Sequence, residues 1–186
     1  MTQNKLDISQ ATEALKGTRF VEALSLLELN LEKDSNHIDS LYLAAVCSRY
    51  LKNYDDSKKY IKSLLSQAPD MGRAYQELGH LNRDMGNQEN SIAHYRQACE
   101  LNPALLASWK ALYDYFRISK NKPAADHAYM QINTLQSIPS VLLYISQILN
   151  EGKLGIAEEK CREFLKKNPT NTFAMSLLSQ IADRLG

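Results

Sequence analysis

The sequence predicts an all-α fold, an α-solenoid of antiparallel helical hairpins with about eleven helices. Three observations lead to this prediction. Apolar residues recur at spacings of three and four through most of the 186 residues, which is the period of an amphipathic helix. Only seven glycines and five prolines interrupt the pattern, and they form no linker. A similar order of residues returns roughly every 34 positions, and a fixed period of this size is the signature of a repeat architecture.

The predicted helices follow from the positions at which the apolar spacing stops. Short polar stretches, several of which contain proline or glycine, separate the apolar-periodic stretches and mark the helix ends. The predicted helices run over residues 5–16, 19–32, 37–50, 54–67, 71–84, 88–101, 105–118, 122–135, 139–150, 154–167 and 171–185. Consecutive helices pair into one hairpin per repeat, and the last helix has no partner of its own.

The repeat is clearest in residues 72–105. When Gly72 is taken as the first position of a unit of roughly 34 residues, Gly79 falls at the eighth position and Gly86 at the fifteenth. Pro103 follows at the thirty-second position, where it ends the second helix. Leu78 precedes Gly79, and a tyrosine and an alanine lie between Gly86 and Pro103. This order of residues resembles the tetratricopeptide repeat (TPR). The resemblance implies a right-handed α-solenoid, the TPR superhelix, in which the first helix of each hairpin lines a concave groove.

The same register extends over residues 1–186, which we predict to form a single domain. The fourth unit is two residues short, because the turn proline Pro169 requires the fifth unit to begin at Ile138. The last helix is expected to cover the apolar end of the fifth unit. Since the chain ends at Gly186, where a hairpin should turn back, we expect it to be a fragment of a longer protein. The predicted units cover residues 4–37, 38–71, 72–105, 106–137 and 138–171, followed by a terminal helix over 172–186.

The charge balance and the cysteines limit the classes of function. The formal net charge is only +1, whereas nucleic-acid and membrane-surface binders usually carry a strong basic excess. No apolar run is long enough to span a membrane, and the first residues lack the pattern of a signal peptide. Three widely spaced cysteines, Cys47, Cys99 and Cys161, indicate buried, reduced thiols. We therefore predict a cytoplasmic protein that binds neither nucleic acid nor membrane.

The sequence contains no recognisable catalytic constellation. Phosphate-binding glycine loops, metal-ligand spacings of His and Cys, and the serine nucleophile elbow are all absent from it. The adjacent carboxylates Asp55-Asp56 and Glu158-Glu159 would point about 100° apart on a helix. Their place near helix starts favours a solvated role that complements the helix dipole. We therefore predict a chain that is not an enzyme and that has no catalytic residue, no metal site and no cofactor.

The concave groove is the expected binding site. The TPR resemblance implies that positions two, five, nine, twelve and thirteen of each unit line it. These positions hold Tyr42, Arg49, Tyr50, Arg73, Gln76, His80, Arg83, Lys110, Asp114 and Arg117. Arg49, Arg83 and Arg117 share the twelfth position, and a row of planar guanidinium groups suits carboxylate or phosphate. One hypothesis is a groove for a protein or an extended peptide with acidic groups. The alternative is that these arginines form surface ion pairs with Asp84 and Asp114.

Two segments resemble a more specific family. They read NPALLASWKALYDYF and AEEKCREFLKKNPTNTFAMSLLSQIADRLG, and they are similar to the amino-terminal repeat region of bacterial TPR–sulfotransferase proteins. That resemblance implies a sulfotransferase domain, using an adenosine phosphosulfate donor, in a longer parent protein. The alternative function is therefore a regulatory or substrate-presenting module of such an enzyme. Self-association through the carboxyl-terminal end is a further expectation, because the exposed ends of repeat stacks are adhesive.

Overall fold

The computed structural model describes residues 8–186, and across this range the chain consists of helices joined by short turns. The helices are α1 Ser9–Lys16, α2 Phe20–Lys33, α3 Ile38–Tyr50, α4 Tyr54–Gln67, α5 Gly72–Asp84, α6 Gln88–Leu101, α7 Leu106–Ile118, α8 Lys122–Gln136, α9 Ser140–Asn150, α10 Leu154–Lys167 and α11 Thr172–Leu185. The prediction of an all-helical fold is confirmed for these residues, and the bounds of α2 to α11 differ from the predicted ones by at most one residue. The predicted start of the first helix, at residue 5, lies outside the described part of the chain. No helix within residues 8–186 is both long enough and apolar enough to cross a bilayer.

The chain divides into two compact units, of which the first ends at Gln97 and the second begins at Ala98. This boundary falls inside α6, so α1 to α5 belong to the first unit and α7 to α11 belong to the second. In the first unit, each of the helices α1 to α4 packs against the next one in the chain. In the second unit, α7 packs against α8, α9 against α10, and α10 against α11. The interpretation of residues 1–186 as a single domain stays a prediction.

In the first unit, small residues let the two helices of a hairpin approach closely. The hydroxyl of Ser57 donates to the carbonyl of Ala45 at 2.9 Å, and the hydroxyl of Ser91 donates to the carbonyl of Gly79 at 2.8 Å. Both serines stand at position twenty of their repeat, and both acceptors stand at position eight. A Cβ atom added to Gly79 would lie 2.6 Å from the ring of Tyr95. The glycine therefore provides the space in which this ring packs.

The five hairpin turns within residues 8–186 share one backbone geometry. In each turn, the residue at position fifteen has a positive φ and donates its N–H to the carbonyl three residues before it. These residues are Thr18 (57°), Lys52 (63°), Gly86 (80°), Lys120 (56°) and Gly152 (72°). The left-handed conformation favours glycine, so Thr18 and the two lysines hold it at a cost of about 1 kcal/mol each.

Each unit has a buried core of its own. In the first unit, Ile61 and Leu64 of α4 pack against α3 and α5, while Leu27 of α2 packs among small residues of α1 and α3. In the second unit, Leu177 and Ile181 of α11 pack against α9 and α10. Full burial of a Leu or Ile side chain contributes about 2 kcal/mol. The last helix is therefore held in place by its own apolar face.

Candidate functional site

An open cleft in the first unit brings together four of the predicted groove residues. We call it the α3–α5 cleft. Its volume is about 520 Å³, and it is lined by Arg49, Tyr50, Lys52, Tyr54, His80, Arg83 and Asp84. The end of α3, the α3–α4 turn, the start of α4 and the last turns of α5 supply these side chains. Two consecutive repeats thus contribute to one surface.

Arg49 forms a buried ion cluster with two carboxylates of α5. Its Nε donates to Oε1 of Glu77, and its Nη1 donates to Oδ2 of Asp84 at 2.9 Å. Only 7% of the Arg49 side chain and 4% of the Glu77 side chain are exposed. Burial opposes the charge of Arg49, but the hydrogen bond and charge of Glu77, with a further hydrogen bond to Asp84, hold the pKa of Arg49 above its usual range. The donor groups of Arg49 are therefore largely used inside the protein.

The sequence of the following repeat explains why Arg49 is buried. Glu77 and Asp84 stand at positions six and thirteen of the repeat that follows Arg49, and both pair with it. Arg83 is 56% exposed, and its Nη2 lies 3.4 Å from Oδ1 of Asp84. Its guanidinium therefore stays at the surface of the cleft.

The hypothesis of a ligand-binding arginine row needs correction. The three arginines at position twelve have different environments, because Arg49 is buried and paired, Arg83 is exposed beside Asp84, and Arg117 is exposed on α7 of the second unit. The alternative of surface ion pairs holds for Arg83, which is exposed and pairs with Asp84. It is wrong for Arg49, whose pair with Asp84 belongs to a buried cluster, and for Asp114, which takes part in no ion pair within residues 8–186.

Tyr50 gives the cleft an exposed aromatic wall. Its ring stacks on Phe20 with the two centroids 4.5 Å apart, and the guanidinium carbon of Arg49 lies 4.4 Å from its centre. The residue is nevertheless 53% exposed. Tyr42 is half-buried and has the guanidinium of Arg73 over its ring at 4.4 Å. These last two predicted groove residues contact each other and do not line the cleft.

His80 is a neutral member of the cleft. Burial and the positive charges of Arg49 and Arg83 lower the pKa of His80 to about 4, against a smaller opposing effect of Asp84. The hydroxyl oxygen of Tyr95 lies 2.6 Å from Nδ1 of His80. Burial raises the pKa of Tyr95 to about 12. The phenol therefore keeps its proton at neutral pH and can donate it to the imidazole.

The remaining predicted groove residues lie outside the α3–α5 cleft. Gln76 is half-buried on α5, and Lys110, Asp114 and Arg117 are exposed on α7 in the second unit. The structure therefore brings four of the predicted groove residues, Arg49, Tyr50, His80 and Arg83, together in one cleft and places the other six outside it. Within residues 8–186, no three His, Cys, Asp or Glu side chains are placed to hold a metal ion.

Sequence reasoning missed three residues that shape this cleft, Lys52, Tyr54 and Glu77. Glu77 could have been noticed, because it places a carboxylate at the sixth position of the third repeat, where the second, fourth and fifth repeats have leucine or alanine. Lys52 could also have been noticed, since it stands at position fifteen of its repeat, where the third and fifth repeats have glycine. No comparable signal distinguishes Tyr54, which stands in the first turn of α4.

The fold defines the class of protein, a repeat protein of helical hairpins, here with an open cleft on the surface of its first unit. Two sequence matches specify the repeat. Residues 39–70 and residues 72–105 each match a family model described as the tetratricopeptide repeat. These two segments are therefore tetratricopeptide repeats, and the predicted resemblance to that repeat is confirmed for them.

Several solved structures have a similar fold. One is TTC0263, a thermophilic TPR protein of Thermus thermophilus, with 18% identity over 96% of each chain and a TM-score of 0.59. Another is MamA (41-end) from Desulfovibrio magneticus RS-1, with 18% identity over 72% of this chain and 77% of that one, and a TM-score of 0.59. A third, from the APC/C hetero-tetramer Cut9–Hcn1, has 18% identity over 92% of this chain and 35% of that one, and a TM-score of 0.60. At this level of identity the similarity shows the fold alone.

Among curated protein sequences the chain has no significant match. The resemblance to TPR–sulfotransferase proteins rests on the two segments quoted above, and neither the repeat matches nor the similar folds bear on it. It stays a sequence-based prediction.

Proposed function

We propose that this chain is a protein-binding scaffold whose α3–α5 cleft takes an acidic side chain of an extended peptide. The presence of tetratricopeptide repeats, which bind proteins or peptides, supports the scaffold role. The observation that carries the acidic specificity is the pair of exposed cations, Lys52 and Arg83, in a cleft that also offers aromatic surface.

The charges around the cleft leave one positive charge unmatched. Arg49 is matched by Glu77 in the buried cluster. Asp84 then matches one of the two exposed cations, Lys52 and Arg83. Since the imidazole in the cleft is neutral at physiological pH, the cleft as a whole suits a ligand with a single negative charge, such as a Glu or Asp side chain.

The cleft contributes specificity more than total affinity. An exposed ion pair contributes about 0–1 kcal/mol, and a hydrogen bond to a charged group that becomes partly buried contributes about 1.5–3 kcal/mol. Tyr50 and Tyr54 add aromatic surface against which the methylene groups of the ligand can pack. A complete binding site therefore needs further contacts along the peptide, and the cleft selects the peptides that carry an acid at one position.

A peptide library tests this proposal. Peptides of random sequence with a fixed central Glu are compared with the same library carrying Gln, by selection on the immobilised chain followed by fluorescence anisotropy of the selected peptides. We expect Glu peptides to bind about tenfold more tightly than their Gln counterparts, which is about 1.4 kcal/mol. This preference should disappear in the double variant K52A/R83A.

The matched control is the double variant K62A/R162A, which removes one exposed Lys and one exposed Arg outside the cleft. It changes the net charge by the same amount and should keep the preference for Glu. Equal binding of the Glu and Gln peptides would contradict the proposal. So would a preference for Glu that persists in K52A/R83A, because the acid would then be recognised elsewhere.

Three further parts of the interpretation stay proposals. The chain could serve as a regulatory or substrate-presenting module of a larger sulfotransferase-type enzyme, and sequencing of the parent reading frame decides this.

The buried thiols Cys47, Cys99 and Cys161 suit the reducing cytoplasm, where we propose that the protein resides. Self-association through α11 is supported by Phe173 and Met175, which are 37% and 47% exposed. Sedimentation of variants with polar residues at these two positions tests it.

A further inference from the structure

A second cleft, in the second unit, has a different charge balance. We call it the α7–α8 cleft. Its volume is about 330 Å³, and it is lined by Tyr113, Phe116, Arg117, Lys120, Lys122, Ala125 and Asp126. We propose that the α7–α8 cleft binds a phosphate monoester in its dianionic form. This site and its ligand are additional to the acidic-peptide site of the first unit.

The three cations of this cleft have no anionic partner in the part of the chain that the structure describes. Arg117, Lys120 and Lys122 are exposed, and none of them takes part in an ion pair within residues 8–186. Asp126 is the one carboxylate among the lining residues. With three positive charges and one negative charge, the cleft retains two positive charges, which equals the charge of a phosphate monoester above its second pKa of about 6.

The ordinary role of basic residues at the end of a helix does not account for these side chains. Cations there commonly satisfy the last carbonyl groups. In α7, however, the backbone N–H groups of Ser119, Asn121 and Lys120 donate to the carbonyls of Tyr115, Phe116 and Arg117, respectively. The side chains of Arg117, Lys120 and Lys122 therefore remain available to a ligand.

Lys120 also holds a conformation that its side chain disfavours. Its φ is 56°, whereas the equivalent residues of the third and fifth repeats are glycines. Thr18 shows that another residue can hold this conformation, so the strain alone does not identify a site. The strain matters here because it places an ammonium group in the same cleft as Arg117 and Lys122. Strained backbone held in place beside converging charges is a feature of ligand sites.

The shape of the cleft favours an ester over the free ion. The planar guanidinium of Arg117 can donate two parallel hydrogen bonds to phosphoryl oxygens. Tyr113 and Phe116 form an apolar side of the cleft, against which a small organic group attached to the phosphate can pack. The α3–α5 cleft has one unmatched positive charge, whereas the α7–α8 cleft has two, so the two clefts suit ligands of different charge.

Isothermal titration calorimetry of the whole chain tests this assignment, with phenyl phosphate, benzoate and inorganic phosphate as probes. The titrations are made at about pH 8, where the phosphate monoester is a dianion. We expect phenyl phosphate to bind at least about tenfold more tightly than benzoate, which has the same ring and a single charge. Phenyl phosphate should also bind more tightly than inorganic phosphate, because only the ester contacts Tyr113 and Phe116.

Variants locate the binding site. R117A/K120A should lose at least about tenfold in affinity for phenyl phosphate, whereas K62A/R162A and K52A/R83A should keep it. Loss of binding in K52A/R83A but not in R117A/K120A would overturn the assignment by placing the ligand in the first unit. Equal affinity for benzoate and phenyl phosphate would also overturn it. Because K52A/R83A tests the acidic-peptide site, the two proposals can fail independently.

The variant K120G guards against a loss of binding that merely reflects unfolding. Glycine relieves the left-handed strain at this turn, so thermal unfolding should occur at the same or a higher temperature than in the wild type. Affinity for phenyl phosphate should nevertheless fall by at least about threefold, because one ammonium group is lost. Unchanged affinity in this stable variant would show that Lys120 does not contact the ligand and would overturn its place in the site.

Discussion

The buried contact between Arg49 and Glu77 gives the first residue-scale prediction. Replacing Glu77 by Gln leaves the buried Arg49 with a single carboxylate, Asp84. Removing one partner of a buried pair costs up to several kcal/mol, and here the charge of Arg49 would keep only the compensation that the partly exposed Asp84 provides. We expect E77Q to lower the free energy of unfolding by about 2–4 kcal/mol, measured by urea denaturation followed by far-UV circular dichroism.

The double variant R49M/E77L provides the control for this prediction. It replaces both partners by apolar side chains, and such replacements of buried pairs are often neutral or stabilising. Its free energy of unfolding should stay within about 1 kcal/mol of the wild type, since Asp84 is partly exposed and can be solvated. A double variant that is less stable than E77Q would mean that the pair itself stabilises the hairpins.

His80 gives a pH-dependent prediction at the same scale. Its pKa is about 4 in the folded chain and about 6.5 in the unfolded chain. Between these values the unfolded state binds more protons, so the free energy of unfolding falls as the pH falls from 6.5 towards 4. We expect a loss of roughly 1–3 kcal/mol from this residue alone, reduced from the full linkage value because His80 is only partly buried.

Comparison with H80Q isolates that effect from the other titrating groups. Urea unfolding of both proteins is measured at about pH 7 and about pH 4.5. Between these two values the histidine of the unfolded chain takes up most of its proton, while His80 of the folded chain stays largely neutral. The glutamine variant should lose less stability over this interval than the wild type. An equal loss in both proteins would mean that the pKa of His80 is close to its ordinary value.

At the scale of single elements, the contact between α5 and α6 predicts the effect of G79A. Alanine favours a helix over glycine by about 1 kcal/mol, but its Cβ would lie 2.6 Å from the buried ring of Tyr95. Overpacking of a tight contact costs about 1–3 kcal/mol. We therefore expect a net loss of up to about 2 kcal/mol, measured by thermal or urea unfolding.

The control for this substitution is G155A in α10. A Cβ atom at Gly155 would meet nothing within 4 Å, so only the helix propensity should act. G155A should raise the free energy of unfolding by up to about 1 kcal/mol. If both variants were stabilised equally, the ring of Tyr95 would have to move easily, and the close crossing of the hairpin would not depend on glycine.

The helices and their turns were predictable because local sequence determines them. The apolar spacing, together with signals such as Gly86 and Pro103, locates helix ends to within a residue for α2 to α11. The left-handed turn at Lys52 was less accessible, since lysine is not the residue that this conformation favours. Its geometry follows from the repeat register, which assigns Lys52 the same position as Gly86 and Gly152.

The candidate site was harder to predict because it depends on contacts between repeats. Position twelve alone made Arg49, Arg83 and Arg117 look equivalent. The burial of Arg49 depends on Glu77 and Asp84, which stand at positions six and thirteen of the following repeat. A prediction from sequence must therefore compare positions across adjacent repeats, since a carboxylate in one repeat can bury an arginine of the preceding repeat.

At the scale of the whole molecule, the formal net charge of +1 predicts how salt affects peptide binding. A protein with so little net charge exerts little long-range attraction, so the association rate constant for an acidic peptide should stay near about 10⁵–10⁷ per molar per second. The local attraction by Lys52 and Arg83 is exposed and therefore screened. Raising the salt concentration from about 0.05 M to about 0.5 M shortens the screening length to a few ångströms. Affinity for a Glu peptide should then fall roughly threefold to tenfold, mainly through faster dissociation.

Stopped-flow fluorescence at several salt concentrations separates the two rate constants. In K52A/R83A the affinity should depend little on salt, whereas K62A/R162A should behave like the wild type. An association rate constant that approaches about 10⁸ per molar per second at low salt and falls steeply as salt is added would indicate electrostatic steering. That result would require a concentrated field, which a chain with nearly balanced charge can produce only by segregating its basic and acidic residues onto separate surfaces. Salt dependence of the two rate constants therefore distinguishes a scaffold that selects its ligand by local contacts in the α3–α5 cleft from one that captures ligands at long range.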